Sequence, residues 1–183
     1  IIDCAARDGM GGSVYIVNGV SGSDYYGLFT MNGGSISDSG VSSVREVYNT
    51  IYTIGTFIAN GGTVTNSGSG RYNYALYTIG ILETEQGFSG TEFFGAAFNS
   101  DNSDRFDGGI FNGPVTNYDT ITGGVFNGPV TNDSYGTITN GTFNGPVTNN
   151  GTITGGIFYG TVSGDGTIED SAKRTVSFDT DGG

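Results

Sequence analysis

The sequence predicts an all-β protein, a parallel β-helix of the β-solenoid class, and three observations support this prediction. One short unit is written four times between residues 108 and 169. Strand-forming threonine, valine, isoleucine and aromatic residues alternate with 35 glycines, which favours short strands and tight turns. No apolar 3.6-residue period survives among them, which argues against helix. Repeated units of this kind bury their apolar faces against one another, so they are expected to stack into a solenoid.

The short units occupy residues 108–122, 123–139, 140–154 and 155–169, and the first three share the phrase FNGPVTN. Their apolar residues recur at spacings of 15 or 17 residues, so stacking would place like over like in three buried columns. The columns are Phe111, Phe126, Phe143 and Phe158; Val115, Val130, Val147 and Val162; and Ile121, Ile138, Ile153 and Ile168.

Turn residues mark the corners of each unit. Pro114, Pro129 and Pro146 follow glycine at one repeat position, and proline, which lacks an N–H group, is expected at a strand start or corner. Gly-Gly pairs mark another corner. Three short sides would make a narrow triangular coil, and a wider coil that holds two units is the alternative.

Aligned asparagines follow each valine of the first three units. Asn117, Asn132 and Asn149 would form an amide ladder between coils, or would be solvated turn residues. Residues 133–136 contain the two extra residues of the second unit and are expected to bulge as a short loop.

The first half carries longer repeats, so one β-helix is expected over residues 1–170, with wide coils in residues 1–80 and short coils in 108–170. GLFTMNGGSISDSG at 27–40 aligns with GTFIANGGTVTNSG 28 residues later. Residues 81–107 interrupt the pattern, as an irregular insertion or a divergent coil. Residues 171–183 change character again and are expected to be a linker and the first strand of a following module.

These phrases resemble known repeats. FTMNGG-x-I and TIG-x-F-x-x-NGG resemble the glycine-rich repeats of bacterial cell-surface proteins with a right-handed parallel β-helix, pectate-lyase-like in outline. The GxFNGPVTNNGTITGG units are similar to those of large Gram-positive surface proteins. The ending TVSFDTDGG resembles the opening strand of the Listeria–Bacteroides type repeat, the internalin B-repeat class. The resemblance implies a single-stranded, right-handed β-helix, a secreted, cell-surface or cell-wall location, and further modules of the same chain. It implies no catalytic residues.

Composition excludes several function classes. The net charge of −12 argues against nucleic acid and anionic membranes as partners, and no apolar run is long enough to insert in a membrane. The chain has no histidine and only one cysteine, Cys4, which argues against a zinc site, a Ser-His-Asp triad or an internal disulfide. We therefore expect no enzyme activity and no cofactor.

Acidic residues supply the remaining candidate sites. Glu83 and Glu85 would share one face of a strand, about 6.5–7 Å apart, which is near the separation of an inverting glycosidase pair. Two solvated glutamates are the simpler interpretation. The acidic run NSDNSDRFD could bind calcium through its carboxylate oxygens. It lacks the D-x-D-x-D-G pattern of a calcium loop, however, so a plain acidic loop is favoured. These weak candidates are Asp101, Asp104 and Asp107.

Other side chains could contact a ligand. Tyrosines such as Tyr72 and Tyr74 could stack on sugar rings, and Glu92 of the interrupted stretch is a further candidate ligand contact. Arg45, Arg71 and Arg105 could hold acidic sugars, but pairing with nearby carboxylates is the favoured role.

The T-I-T phrases place threonines on the outer face. Two threonine columns would resemble the flat arrays of ice-binding β-solenoids, continued loosely by Ser35/Ser37 and Thr63/Thr65. Exposed β-branched strand residues are the structural interpretation. The columns are Thr120, Thr137 and Thr152, and Thr122, Thr139 and Thr154.

The sequence therefore predicts a structural stalk or adhesion scaffold on a bacterial surface, whose partner is a host or cell-surface glycan or protein. A glycan-binding or glycan-cleaving β-helix is the alternative, and an ice-binding β-solenoid is the third. An enzyme should show a cleft with convergent carboxylates and basic residues. Any specific recognition is expected in residues 81–107, because function tends to reside on loops that a rigid scaffold holds.

Overall fold

The computed structural model describes residues 14–16, 27–38, 48–67, 73–100 and 105–169. All regular structure in these ranges is β-strand. The described part of the chain has no helix of the length and apolarity that crossing a bilayer requires. The strands are β1 (Val14–Ile16), β2 (Leu28–Asp38), β3 (Tyr48–Thr53), β4 (Thr56–Asn66), β5 (Asn73–Thr78), β6 (Ile81–Glu83), β7 (Glu92–Phe94), β8 (Ala96–Asn99), β9 (Arg105–Phe111), β10 (Val115–Asn117), β11 (Thr120–Phe126), β12 (Val130–Asn132), β13 (Thr137–Ile138), β14 (Thr142–Phe143), β15 (Val147–Asn149), β16 (Thr152–Ile153), β17 (Ile157–Phe158), β18 (Val162–Ser163) and β19 (Thr167–Ile168).

These strands form two parallel sheets. Sheet A has the order β1-β3-β5-β8-β10-β12-β15-β18, and sheet B has the order β19-β16-β13-β11-β9-β6-β4-β2, with β7, β14 and β17 attached beside that path. The chain alternates between the sheets, and each new strand pairs in parallel with the strand one coil earlier. The architecture is thus all-β and β-solenoid-like, as the repeats predict.

Each short unit makes one coil. Val115 pairs with Val130, and Ile138 pairs with Ile153, so the register advances by one unit per coil. The alternative of two units per coil is therefore wrong. The predicted triangle also needs correction, because the isoleucine and phenylalanine columns belong to one sheet. Strand β11 runs through both and shifts its register on each side of Gly123, so the Gly-Gly corner is a bend within sheet B.

The core contains the three apolar columns. The rings of Phe111, Phe126, Phe143 and Phe158 stack nearly parallel, with centroids 4.9, 4.7 and 4.7 Å apart. Valines of sheet A face them across the core, and the isoleucines of sheet B complete it. A buried phenylalanine typically contributes about 3–5 kcal/mol relative to alanine, so these stacks are a principal source of stability.

The long repeats continue the same core, but a given column contains different residue types in the long and the short repeats. Phe29 pairs with Phe57, which pairs with Leu82, so both phenylalanines enter the column that continues as isoleucine. The phenylalanine column of the short units continues instead through Val64 and Phe93. The coil length falls from 28 residues between Phe29 and Phe57 to 15 in the last coils, so the coils shorten along the chain.

Corners before sheet A are built from glycine and proline. The N–H groups of Val115 and Val130 donate to the carbonyls of Pro129 and Pro146, so each proline lies directly before a strand, as predicted. The preceding glycines stack on one another. A Cβ atom added at Gly128 would lie 2.6 Å from the carbonyl carbon of Gly113, and its oxygen would be closer still. Only glycine fits that position.

Residues 81–107 form a coil of the same ladder within their described part. Strands β6 and β7 pair with β4 and β9 in sheet B, while β8 pairs with β5 and β10 in sheet A. Leu82, Phe93 and Ala97 fill the core. Between β6 and β7 a turn, residues 84–91, projects from the bend of sheet B.

Candidate functional site

The projecting turn begins with the two glutamates that the sequence singled out. Strand β6 ends at Glu83, so Glu85 lies beyond it rather than on the same strand face. Glu83 Oε2 lies 3.7 Å from Arg105 Nη2. Glu85 Oε2 instead accepts a hydrogen bond from Asn60 Nδ2 at 2.8 Å. The two carboxylates are therefore held by different partners, and only Glu83 lies on the strand that was expected to carry both on one face.

The stem of the turn is fixed by hydrogen bonds to the neighbouring coils. Thr84 Oγ1 donates to the Ala59 carbonyl at 2.9 Å and accepts from the Gly109 N–H at 3.1 Å. Thr91 Oγ1 donates to the Gly61 carbonyl at 3.0 Å. Both stem threonines are thus tied to the scaffold, so the turn is presented in a defined position.

The tip of the turn carries an exposed aromatic side chain. Phe88 is 51% exposed, and its N–H donates to the Glu85 carbonyl, which closes a four-residue turn. Gly87 has a φ of 91°, in the left-handed region that glycine tolerates. Phe94, in the same coil, is 41% exposed and lies on the outer face of sheet B. Of the five phenylalanines in the interrupted stretch, Phe93 and Phe106 are in the core.

The arginine of this region is engaged with carboxylates. Arg105 lies 3.7 Å from both Glu83 and Asp107, across side chains that are 36–45% exposed. Charge pairing, the favoured interpretation of the sequence, is the arrangement found. Asp107 is one of the three calcium candidates, and the described residues contain no cluster of three or more acidic or thiol side chains fit to hold a metal ion. Asp101, Asp104, Arg45, Arg71 and Tyr72 lie outside the described residues.

Sheet A carries an aromatic ladder on its outer face. Tyr52 and Tyr77 stack with centroids 5.3 Å apart, and Tyr77 and Phe98 stack at 4.8 Å. The rings are within 11° of parallel, so their faces are turned toward one another, and Tyr52 at the start of the stack is buried. Tyr74 crosses Tyr77 at 68° and is half-buried. Copies of the phrase YTIG could have revealed the tyrosine pair, but nothing in AAFN indicates that Phe98 extends it.

Glu92 and the second row of asparagines lie on the outer face of sheet B. Asn112 Nδ2 is 3.4 Å from Glu92 Oε2, while Asn127 Nδ2 donates to Asn112 Oδ1 and Asn144 Nδ2 donates to Asn127 Oδ1. This exposed ladder was not anticipated from the sequence, although the phrase FNG repeats it. Glu92 thereby lies at the end of a row of amides.

The predicted amide ladder is present at the corner after sheet A, and it is buried. Asn99 Nδ2 donates to Asn117 Oδ1, Asn117 to Asn132 and Asn132 to Asn149, at 2.6, 2.7 and 2.8 Å. All four side chains are at most 1% exposed, so the interpretation as solvated turn residues is wrong. The short loop at 133–136 also forms, with Tyr135 exposed at its tip.

The outer threonines stack in register from Thr120 to Thr137 and Thr152. The second column is partly engaged with the backbone, because Thr122 and Thr139 hydroxyls donate to carbonyls of the preceding coil at 3.3 Å. The proposed continuation through the long repeats is wrong. Thr63 pairs with Glu92 in the other half of sheet B, while the threonine column continues into Arg105.

A depression of about 350 Å³ lies beside strand β2, lined by residues 29–36. Its lining contains no carboxylate and no basic side chain. It therefore lacks the convergent charged groups that glycan cleavage requires. Comparisons of the chain with protein families, curated proteins and solved structures found no match.

Proposed function

We propose that this chain is part of a secreted bacterial cell-surface repeat protein, in which it acts as a structural stalk or adhesion scaffold. We further propose that it is a single-stranded, right-handed parallel β-helix. A right-handed crossover is the strong preference of parallel strands joined within one sheet, which supports that hand. Its partners would be a host or cell-surface glycan or protein and further modules of the same chain.

The observation that carries this proposal is the uninterrupted coil-to-coil ladder. Backbone pairing links eight successive strands of sheet A, which at a strand spacing of about 4.8 Å spans about 34 Å. Buried phenylalanines and asparagines stack along the same axis. Such a rod holds projecting turns at fixed heights, which is what a spacer or an adhesion scaffold needs.

Surface labelling of intact cells from the source organism tests this proposal. An antibody against the folded protein should label intact cells as strongly as permeabilised ones, and external protease should remove the label. A cytosolic protein serves as the control and should be labelled only after permeabilisation. Labelling of this chain only after permeabilisation would contradict the proposal.

Glycan binding is the second candidate, and the aromatic cluster of sheet A favours it. Tyr74 is half-buried, and its ring crosses those of Tyr77 and Phe98 at 68° and 58°, so this cluster supplies the aromatic side chains that could stack on a sugar. Titration with oligosaccharides, followed by NMR, should shift Tyr74 resonances before those of Tyr52 and Tyr77. A Tyr74→Ala variant that binds an oligosaccharide as the parent does would remove this candidate.

A further inference from the structure

The buried amide ladder belongs to a longer polar column of sheet A. Backbone register places Thr53, Thr78, Asn99, Asn117 and then the remaining asparagines in one line through successive coils. Thr53 and Thr78 are fully buried, as Asn99 and Asn117 are. A column of polar side chains in the core is stable only where each polar atom has a partner.

The polar side chains of this column have hydrogen-bond partners on both sides of the junction between Thr78 and Asn99. The Thr53 hydroxyl accepts a hydrogen bond from the Gly55 N–H at 3.1 Å. The Nδ2 groups of Asn99, Asn117 and Asn132 each donate to the next Oδ1, so the side-chain oxygens of Asn117, Asn132 and Asn149 are all paired, and Asn149 Nδ2 donates to the Thr167 carbonyl. All the donors point toward the C-terminal end of the column. The first carbonyl oxygen, on Asn99, therefore needs a donor from the coil before it.

The coil before Asn99 does not supply a donor to the Asn99 side-chain oxygen. Thr78 precedes Asn99 in register, and the buried atoms Thr78 Oγ1 and Asn99 Oδ1 have no hydrogen-bond partner within the described residues. The hydroxyl of threonine is attached to Cβ, whereas the amide of asparagine is attached one carbon farther out. A threonine therefore cannot span the coil spacing of about 4.8 Å that the amide-to-amide bonds span.

We propose that a single buried water molecule binds at this junction, accepts a hydrogen bond from the Thr78 hydroxyl and donates one to Asn99 Oδ1. Water is the ligand of choice because the site requires one acceptor and one donor at neighbouring positions. A calcium ion would need six to eight oxygen ligands and carboxylate charge, which two neutral oxygens do not supply. The water continues the ladder across the change from threonine to asparagine.

The direct test is a crystal structure of the whole chain at a resolution that shows ordered water. We expect a density peak within hydrogen-bond distance of both Thr78 Oγ1 and Asn99 Oδ1. A rotated threonine that bonds directly to Asn99, or a junction with no peak, would overturn the proposal.

Two variants of one residue give an independent test in solution. Thr78→Val keeps the side-chain shape but removes the hydroxyl, so it should lower the thermal midpoint by about 2–4 °C, because the bridging water loses a partner. If no water is bound, the hydroxyl is an unsatisfied buried group and its removal should raise the midpoint, which would refute the inference. Thr78→Asn supplies the missing amide, displaces the water and should hold or raise the midpoint.

Discussion

The glycine column before sheet A gives the sharpest test of how closely the coils approach. At Gly128 an added Cβ would lie 2.6 Å from the Gly113 carbonyl carbon and 3.2 Å from the Asn112 carbonyl oxygen. Both obstacles are backbone, and the next coil leans on Gly128 in the same way, so neither side can move freely. Gly128 is not among the glycines with positive φ, so the effect of Gly128→Ala is steric rather than conformational.

The expected cost follows from the overlap. Overpacking of a filled interior costs about 1–3 kcal/mol, and backbone obstacles place this variant near the upper value. The loss of unfolded-state freedom returns only about 0.4–1 kcal/mol. For a chain of this size each kcal/mol moves the thermal midpoint by about 2–4 °C, so Gly128→Ala should melt about 4–10 °C below the parent.

Thermal unfolding followed by circular dichroism measures this difference. The matched control is Gly33→Ala, because a Cβ at Gly33 meets no atom within 4 Å. The control should melt within about 2 °C of the parent. Hydrogen exchange should also rise at the Val115 and Val130 amides, which donate to the corner prolines beside the altered glycine. Equal midpoints for the two variants would show that the coils are farther apart than described.

Further predictions address the core, the ladders and the projecting turn. Phe143→Ala should destabilise by about 3–5 kcal/mol in chemical denaturation, and an unchanged midpoint would mean that the ring faces solvent. Asn132→Ala should cost about 1–3 kcal/mol because Asn149 Oδ1 loses its donor, whereas Asn127→Ala in the exposed ladder should cost under about 0.5 kcal/mol; equal costs would contradict the burial difference. Phe88→Ser should leave stability unchanged yet weaken binding to source-organism surfaces or host cells in a pull-down, and undiminished binding would remove the turn as the recognition element. Incubation with pectin, alginate and xylan should release no reducing ends, and turnover that Glu83→Gln abolishes would overturn the scaffold proposal.

Sequence repetition predicted the short coils well because the same residue recurs at each position. Phe126 lies under Phe111 since both occupy one place in an unaltered phrase. Register between the two halves could not be obtained in this way. Phe57, Leu82 and Phe106 occupy one column although their residue types differ, and only backbone pairing reveals that the phenylalanines of the two halves belong to different columns.

The candidate site was predicted less completely, for local reasons. A strand was assumed to continue through Glu85, but it ends at Glu83, where the chain turns outward and the hydroxyl of Thr84 bonds to the backbone of an adjoining coil. Contacts between distant segments also leave no local signal. The bond between Asn60 and Glu85 joins residues 25 apart, and it holds the carboxylate that the sequence placed beside Glu83.

The shortening of the coils bears on head-to-tail contacts between two copies of the described β-solenoid. A solenoid of uniform cross-section has two complementary ends, and head-to-tail contacts between them propagate into open fibres. Here a 15-residue coil would have to seat on a 28-residue coil, so only part of its backbone donors and acceptors could find partners. The unmatched remainder would be buried without hydrogen bonds, at a cost that grows with each such group. Coils of such unequal length therefore pair poorly with one another, whatever precedes or follows them in the chain.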